Sequence, residues 1–583
     1  MSVMFHGIGV SKGIAIGQAQ IFYRERPEIF EYGIAPKRIE HEIARFHTAR
    51  AHAQKQLEAI KLKFSSDVPH DITHFIDTHL LMIDDPVLCD GTVEHIRHRM
   101  CNAEWALQAQ CDRLVKVFDD MDDLYLKTRK DDIVHVVQRI QRCLISDTDT
   151  DVPEELQGDH LKGRIIVADD LTPADTLVMR HQKIAGFITE FGGPLSHTAI
   201  LARNLGIPAI VGVRNARQLI SAGDWLVVDG GQGMLVADPD KHSLRLFRDL
   251  QKDEKRRQRH LFGLKNKPAM TLDGKRIHLH GNIDGPDDVR TLRQYDHTGV
   301  GLYRTEMLFM ERNEWPSEQE QFEVYSRTLR ALKGHPLTIR TADLGADKEM
   351  RDTLQHGPMA HNPALGLRAI RRCLKEPHLF MHQLKAILRA GAYGPVSMMI
   401  PMLTCVSELD QVLKLMEQAK TELRIEHKRF NPNLPLGAMI EVPAAALTAM
   451  SFARKLDFLS LGTNDLIQYT LAMDRIDDEV SHLFKPLHPA VLKLIDMTLI
   501  AGEKTGIPVS LCGEMASNPL YTRLLLGMGL HCFSVQASSL LDIKYIINSS
   551  HLGQLTSQVR PILDLATADE IELAVDALNR QFS

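Results

Sequence analysis

The sequence predicts a multidomain α/β protein: a β/α domain interrupted by a helical bundle, then a C-terminal (β/α)8 barrel of the TIM type. Three observations predict it. Eight short apolar runs, with helical material in nearly every interval, fill residues 263–583. Over residues 36–144 glycine nearly disappears, and apolar residues recur at helical spacing with charges on the other face. Strand-like runs flank that stretch, in residues 1–35 and 145–240, so the helices read as an insertion into one β/α unit.

The first 25 residues alternate apolar and small residues around glycines, as short strands with turns do. EIARFHTARAHAQKQLEAIKLKF and EWALQAQCDRLVKVFDDM are amphipathic helices of the insert. Its acidic run, with Asp119, Asp120, Asp122 and Asp123, reads either as a solvated helix end or as a docking face for a basic protein. RIIVADD, KIAGFITEFGG, PAIVGV and DWLVVDGGQGMLVADP restore strand character and are positioned to pair with the N-terminal strands. Residues 241–262, KHSLRLFRDLQKDEKRRQRHLF, form a charged connector helix between lobes. The barrel strands are then RIHLHGNI, GVGLYRTE, LTIRTADLG, VSMMIPML, LGAMIEVP, DFLSLGTND, PVSLCGE and CFSVQAS.

The bulk properties narrow the class. A chain of 583 residues has room for three or more domains, and 44% hydrophobic with 25% charged residues is ordinary for a globular protein. A formal net charge of -6 gives no basic face for nucleic acid. No run of about 18 apolar residues predicts a membrane span, and the glycine-broken N-terminus does not read as a signal peptide. The eight cysteines are scattered without a CxxC pair, which fits a cytoplasmic chain with free thiols.

In such barrels the polar residues at the C-terminal ends of the strands build the active site. Those ends carry Asn282, Arg304-Thr305-Glu306, Arg340 with Asp343, Glu441, Asn464-Asp465 and Cys512-Gly513-Glu514. Arginine offers a planar fork of donors for phosphate and carboxylate. Arg304, Arg340, Arg368 and Arg475 converging on one mouth point to a substrate that carries both anions. Glu441 and Asp465 supply the hard oxygen ligands that a Mg2+ site needs, or else they pair with those arginines. Asn464 stands beside them, and Asp343, Asp347 and Lys348 extend the polar rim. Cys512 is either a small buried hydrophobe or a proton donor at the mouth.

The other dense feature is FGGPLSHTAILARNLGIPAIVG. Gly192-Gly193 allow a tight turn, and Ser196, His197 and Thr198 precede an apolar-periodic helix closed by Gly206. A histidine near a helix N-terminus faces backbone N–H groups that favour an anion. His197 is therefore read as a nucleophile that carries a phosphoryl group, with hydroxyls from Ser196, Thr198 and Thr172 nearby.

These motifs, with GLYRTEMLFM, NPALGLRAIR, IEVPAAA, SLGTNDLIQYTLAMDR and LCGEMA in the same order, resemble enzyme I of the bacterial phosphotransferase system, the phosphoenolpyruvate–protein phosphotransferases. The resemblance runs essentially end to end. It implies that phosphoenolpyruvate binds in the barrel mouth with Mg2+ on Glu441 and Asp465, its anionic groups held by Arg304, Arg340, Asn464 and Arg475, and with Asp465 also among the substrate-binding residues. It implies that the His197 domain swings over the barrel, that His197 takes the phosphoryl group, and that Cys512 protonates the enolate to pyruvate. A small HPr-like carrier protein docked on the helical insert then receives the phosphoryl group. A homodimer through the barrel is implied as well.

The sequence departs from the family in three places. Pro194-Leu195 stand where Arg-Thr is common, which removes an arginine and a hydroxyl beside His197. Ala346 stands in LGADK where a glycine is common. FIDTHLLMIDDPVL resembles the carrier-docking helix, with His79, Leu81 and Met82 on it, but Pro86-Val87 occupy positions that are often acidic. A pyruvate-phosphate dikinase or phosphoenolpyruvate synthase would need an ATP-grasp domain, for which the sequence has no room. A silent sensor of phosphoenolpyruvate would not need the full catalytic set. No sensor domain precedes the histidine domain, which weakly disfavours a nitrogen-type regulatory form, and the sequence leaves sugar uptake and regulation both open.

Overall fold

A computed structural model describes all of the chain except residues 1–2, 23–28, 65–69, 120–123, 146–160, 173–174, 176–178, 180–181, 194–195, 197, 200–201, 204–205, 297, 310–314, 345–362, 475–479 and 582–583. It divides into two compact units, Met1–Arg257 and Gln258–Ser583. No described helix is long and apolar enough to cross a membrane.

The first unit is built on an eight-stranded mixed sheet. Its strands are β1 (Val3–His6), β2 (Ile8–Ser11), β3 (Ile14–Ile21), β4 (Ile165–Ala168), β5 (Gly186–Thr189), β6 (Ala209–Val211), β7 (Trp225–Asp229) and β8 (Met234–Ala237). They lie in the order β1-β8-β7-β3-β4-β5-β6-β2. β3 to β6 run parallel, and antiparallel pairings of β3 with β7 and of β2 with β6 return the chain to it. The N-terminal strands do pair with those after the insert, as their alternating pattern requires. β4, β5 and β6 are buried throughout because both faces of the parallel strands are covered.

Between β3 and β4 the described residues make five α-helices: α1 (Ile39–Phe64), α2 (His70–Ile83), α3 (Pro86–Arg99), α4 (Ala103–Asp119) and α5 (Leu124–Ile145). They enclose a core of their own, with Ile43, Phe46, Leu57, Ile96, Leu107 and Ile140 at its centre. The start of α3 shows how local sequence sets a boundary. The Asp85 carboxylate accepts from Val87 N–H at 2.7 Å, and Pro86 takes the first helical position, where its missing N–H costs nothing. Arg45 ties three helices together by pairing with Glu42 and Glu104 and donating to the Leu144 carbonyl at 3.0 Å.

The helix Lys241–Phe262 follows β8. Phe247 buries itself against Val227 and Val236 of the sheet, and Gln251 donates to the Ile14 carbonyl at 2.8 Å.

The second unit is a closed barrel of eight parallel strands: β9 (His278–Ile283), β10 (Val300–Arg304), β11 (Leu337–Arg340), β12 (Val396–Ile400), β13 (Leu436–Ile440), β14 (Phe458–Leu461), β15 (Val509–Leu511) and β16 (Cys532–Val535). All eight sequence runs are strands. β16 pairs with β9 to close the ring, Cys532 beside His278 and Val535 beside Gly281. The main core lies between strands and outer helices. A smaller apolar cluster, Leu302, Met399, Met439 and Cys512, lies under the mouth.

Candidate active site at the barrel mouth

The strands end in one cavity of about 270 Å3, lined among others by Arg304, Arg340, Arg368, Glu441, Asn464, Asp465 and Cys512. Arg304 and Arg340 are the last residues of β10 and β11 and stand side by side in the ladder. Glu441 follows β13 directly. Asn464 and Asp465 lie in the first turn of the helix Thr463–Leu471, one step beyond the strand to which their sequence run assigns them. Arg475 and His197 lie outside the described residues, as do Pro194, Leu195, Ala346, Asp347 and Lys348.

The arginines are held by carboxylates. Arg340 donates to Glu306 at 2.8 Å and lies 3.5 Å from Asp343, and its buried Nε–H has no hydrogen-bond partner. Burial opposes its charge, but Glu306, Asp343, Glu441 and Asp465 outweigh that and hold its pKa above the ordinary arginine value. Arg368 makes a fork to both oxygens of Asp343 at 2.9 Å, lies 3.7 Å from Asp465, and donates to the Tyr469 hydroxyl at 3.3 Å. Arg304 is half-exposed and only loosely engaged, 3.4 Å from Asp284. Among the described arginines of the mouth it is the one most available to an incoming anion. A buried network steadies this floor: Gln383 accepts from Ala342 N–H and donates to Thr305, whose hydroxyl donates to the Arg340 carbonyl.

Three acids crowd the same space. Glu441 is fully buried, and burial, then repulsion from Asp465 and Asp343, pushes its carboxyl well above the ordinary range, although Arg340 and the Met402 N–H favour its charge. Clustered hard oxygen donors whose charges repel are what a divalent cation relieves. Gly462 leaves the room: a Cβ there would come 2.8 Å from a Glu441 carboxylate oxygen. The donor set therefore fits a hard divalent cation. Across the mouth Asn464 and Glu514 clamp each other, the Asn464 amide donating to the carboxylate at 3.2 Å and accepting from Glu514 N–H at 2.9 Å.

Cys512 ends β15. Its thiol donates to the Leu461 carbonyl at 3.5 Å and accepts from the Ser460 hydroxyl at 3.4 Å. Burial pushes the thiol pKa up, so Cys512 is both a packed apolar residue and a protonated thiol lining the cavity. Met439, Tyr469 and Gly462 belong to the site without having been marked in the sequence. Tyr469 had a signal, since it lies four residues from Asp465 on one helix and so shares its face.

In the first unit, Ser196 accepts from Ala199 N–H at 3.3 Å, in the manner of a helix cap. The Thr198 hydroxyl lies 3.0 Å from the Leu171 carbonyl and 3.2 Å from the Asp170 carboxylate. Thr172 donates its hydroxyl to Asp175 at 2.7 Å, so this hydroxyl has work other than holding a phosphoryl group. On α2 the three marked residues diverge. Leu81 is 69% exposed, Met82 is partly covered, and His79 is buried against α5. His79 is thus not a surface contact residue.

Family models described as "PEP-utilising enzyme, N-terminal", "mobile domain" and "PEP-binding domain" match residues 6–129, 161–233 and 258–552. The phosphoenolpyruvate-protein phosphotransferase of Cupriavidus necator is 43% identical to this chain and covers 100% of both. Its counterpart in Bacillus subtilis is 37% identical over 97% of this chain and 98% of its own length. That of Listeria monocytogenes is 36% identical over 98% of each.

Proposed function

Because this chain belongs to the phosphoenolpyruvate–protein phosphotransferase family of transferases, we propose that it phosphorylates itself on His197 from phosphoenolpyruvate and passes the group to a histidine of a small HPr-like carrier, the first step of a phosphotransferase system that serves sugar transport. The observation that carries this reading is the convergence of Arg304, Arg340, Glu441, Asn464, Asp465 and Cys512 on one cavity.

Arg304, Arg340 and Arg475 bind the phosphate and carboxylate of phosphoenolpyruvate, with Asn464 and Asp465 fixing its orientation. Glu441 and Asp465 would hold Mg2+, which would supply positive charge against the transferring phosphate. The His197 imidazole attacks phosphorus as the bond to the enol oxygen breaks, with the arginines stabilising the spread of charge. The departing enolate takes a proton at carbon from the Cys512 thiol and becomes pyruvate. The thiolate then regains a proton from water. The reaction requires His197, on the first unit, to reach the phosphorus bound in the barrel. The carrier docks on the helical insert of residues 36–144, and the barrel pairs two chains into a homodimer. The site of action is the cytoplasm.

The test is labelled phosphoenolpyruvate with Mg2+, followed by candidate carriers from the same organism. Acid-labile label on the wild-type chain, its absence from His197→Ala, and its passage to a carrier are expected. A wild-type chain that takes no label would refute the proposal.

A further inference from the structure

A buried cluster outside the barrel has no part in that chemistry. Asp132 and His135 lie three apart on α5 and so share a face. His79 of α2 meets them there, its Nε2 3.2 Å from the Asp132 carboxylate. One donor atom from each of the three lies within 4.8 Å of the others. His79 and Asp132 are fully enclosed, and the His135 side chain is 12% exposed.

The state of His135 is the second observation. Its Nε2 lies 3.3 Å from the Asp170 carboxylate, so the ring proton belongs on that nitrogen. Its Nδ1 is buried and has no hydrogen-bond partner. A buried imidazole that donates from one nitrogen to a carboxylate and leaves the other bare has the arrangement of a metal-ligating histidine.

We propose that His79, Asp132 and His135 form a site for one divalent transition-metal ion of the zinc class, with Asp170 orienting His135. Two nitrogens and one carboxylate oxygen are a donor set that Zn2+ takes at about 2.0–2.2 Å, with a fourth position open to water. Donors placed so around a tetrahedral ion lie about 3.4 Å apart, close to the His79–Asp132 separation already present. Small side-chain rotations bring in the third. The carboxylates of Asp132 and Asp170 offset the ion's charge and that of Arg139, which also acts on His79.

The position gives the site a consequence. Asp170 precedes the Leu171 carbonyl, and its other oxygen lies 3.2 Å from Thr198. An ion on His135 polarises the N–H that Asp170 accepts and strengthens that bond. Occupancy therefore fastens the helical insert to the segment that supports the residue after His197.

The experiment is a Co2+ titration of the full-length, metal-stripped protein, read by visible absorption and independent of phosphotransfer. One equivalent is expected to give the spectrum of a tetrahedral ion without a thiolate charge-transfer band. Cys405→Ser should leave it unchanged. His135→Ala should weaken binding by more than about 100-fold and Asp170→Asn by about 10–100-fold. Zn2+ should raise the melting temperature of the wild type and not of His135→Ala; His135→Gln serves if the alanine variant does not fold. No Co2+ spectrum from the wild type, a thiolate band, or an equal spectrum from both histidine variants would overturn the proposal.

Discussion

The backbone N–H of Met402 donates to the Glu441 carboxylate at 2.6 Å, and Met402 holds a left-handed φ of 59° where it does so. A buried non-glycine residue in that region carries about 1–3 kcal/mol of strain, which persists only where the surroundings impose it. The acid is thus fixed by the backbone of the neighbouring strand end. Glu441→Gln should raise the Mg2+ concentration for half-maximal labelling by more than about 10-fold. Wild-type labelling and Mg2+ demand in this variant would remove Glu441 from the metal site.

Cys512 sets a pH dependence. Burial disfavours its thiolate, so its pKa lies above the usual thiol value and the proton is present throughout the neutral range. Proton donation is lost only as pH rises through that raised pKa. Cys512→Ser, with a much weaker acid in the same place, should slow pyruvate formation by about 10²–10⁴-fold and leave phosphoenolpyruvate affinity nearly intact. Turnover and binding measured side by side separate the two.

Gly513 has no room for a side chain. A Cβ there would meet the Thr463 side chain and approach the Thr463 backbone nitrogen to 2.8 Å. Gly513→Ala should push the end of β15 away from the helix that carries Asn464 and Asp465. A stability loss of about 1–3 kcal/mol, read from urea unfolding, should accompany a fall in turnover. Unchanged values for both would show that the two segments separate easily.

His197→Ala should take no label, and Pro194→Arg should change the lifetime of the phosphorylated protein. Label decay at neutral pH measures the second. Identical decay for Pro194→Arg and wild type would mean that the arginine common in this family does not act on the phosphohistidine.

Much of this architecture is legible in the sequence because period and length suffice for it. Eight apolar runs separated by helices are the pattern of a (β/α)8 barrel, and several of them end on polar residues that line the mouth. Finer placement depends on packing. Leu461 and Gly462 end β14 so abruptly that Asn464 and Asp465 fall into a helix. Nothing in VSMMIPML marks Met402 for a left-handed backbone. Nor does α2 alone say which of His79, Leu81 and Met82 faces outward, since the choice is made by α5, some fifty residues later. Thr172 had the right hydroxyl in the right segment, but Asp175 holds it.

β3 and β4 are neighbours in the sheet and run in the same direction, Ala19 beside Ile165. A parallel pair cannot be joined by a tight turn, because the chain must travel back along the sheet before it re-enters. The five helices are that return path. They are a connection elaborated into a domain, and their removal would leave two strand ends that a few residues cannot bridge. Exchanging the bundle between relatives therefore calls for a graft that spans the same gap. Excision followed by a short linker would cost the first unit the adjacency on which its sheet depends.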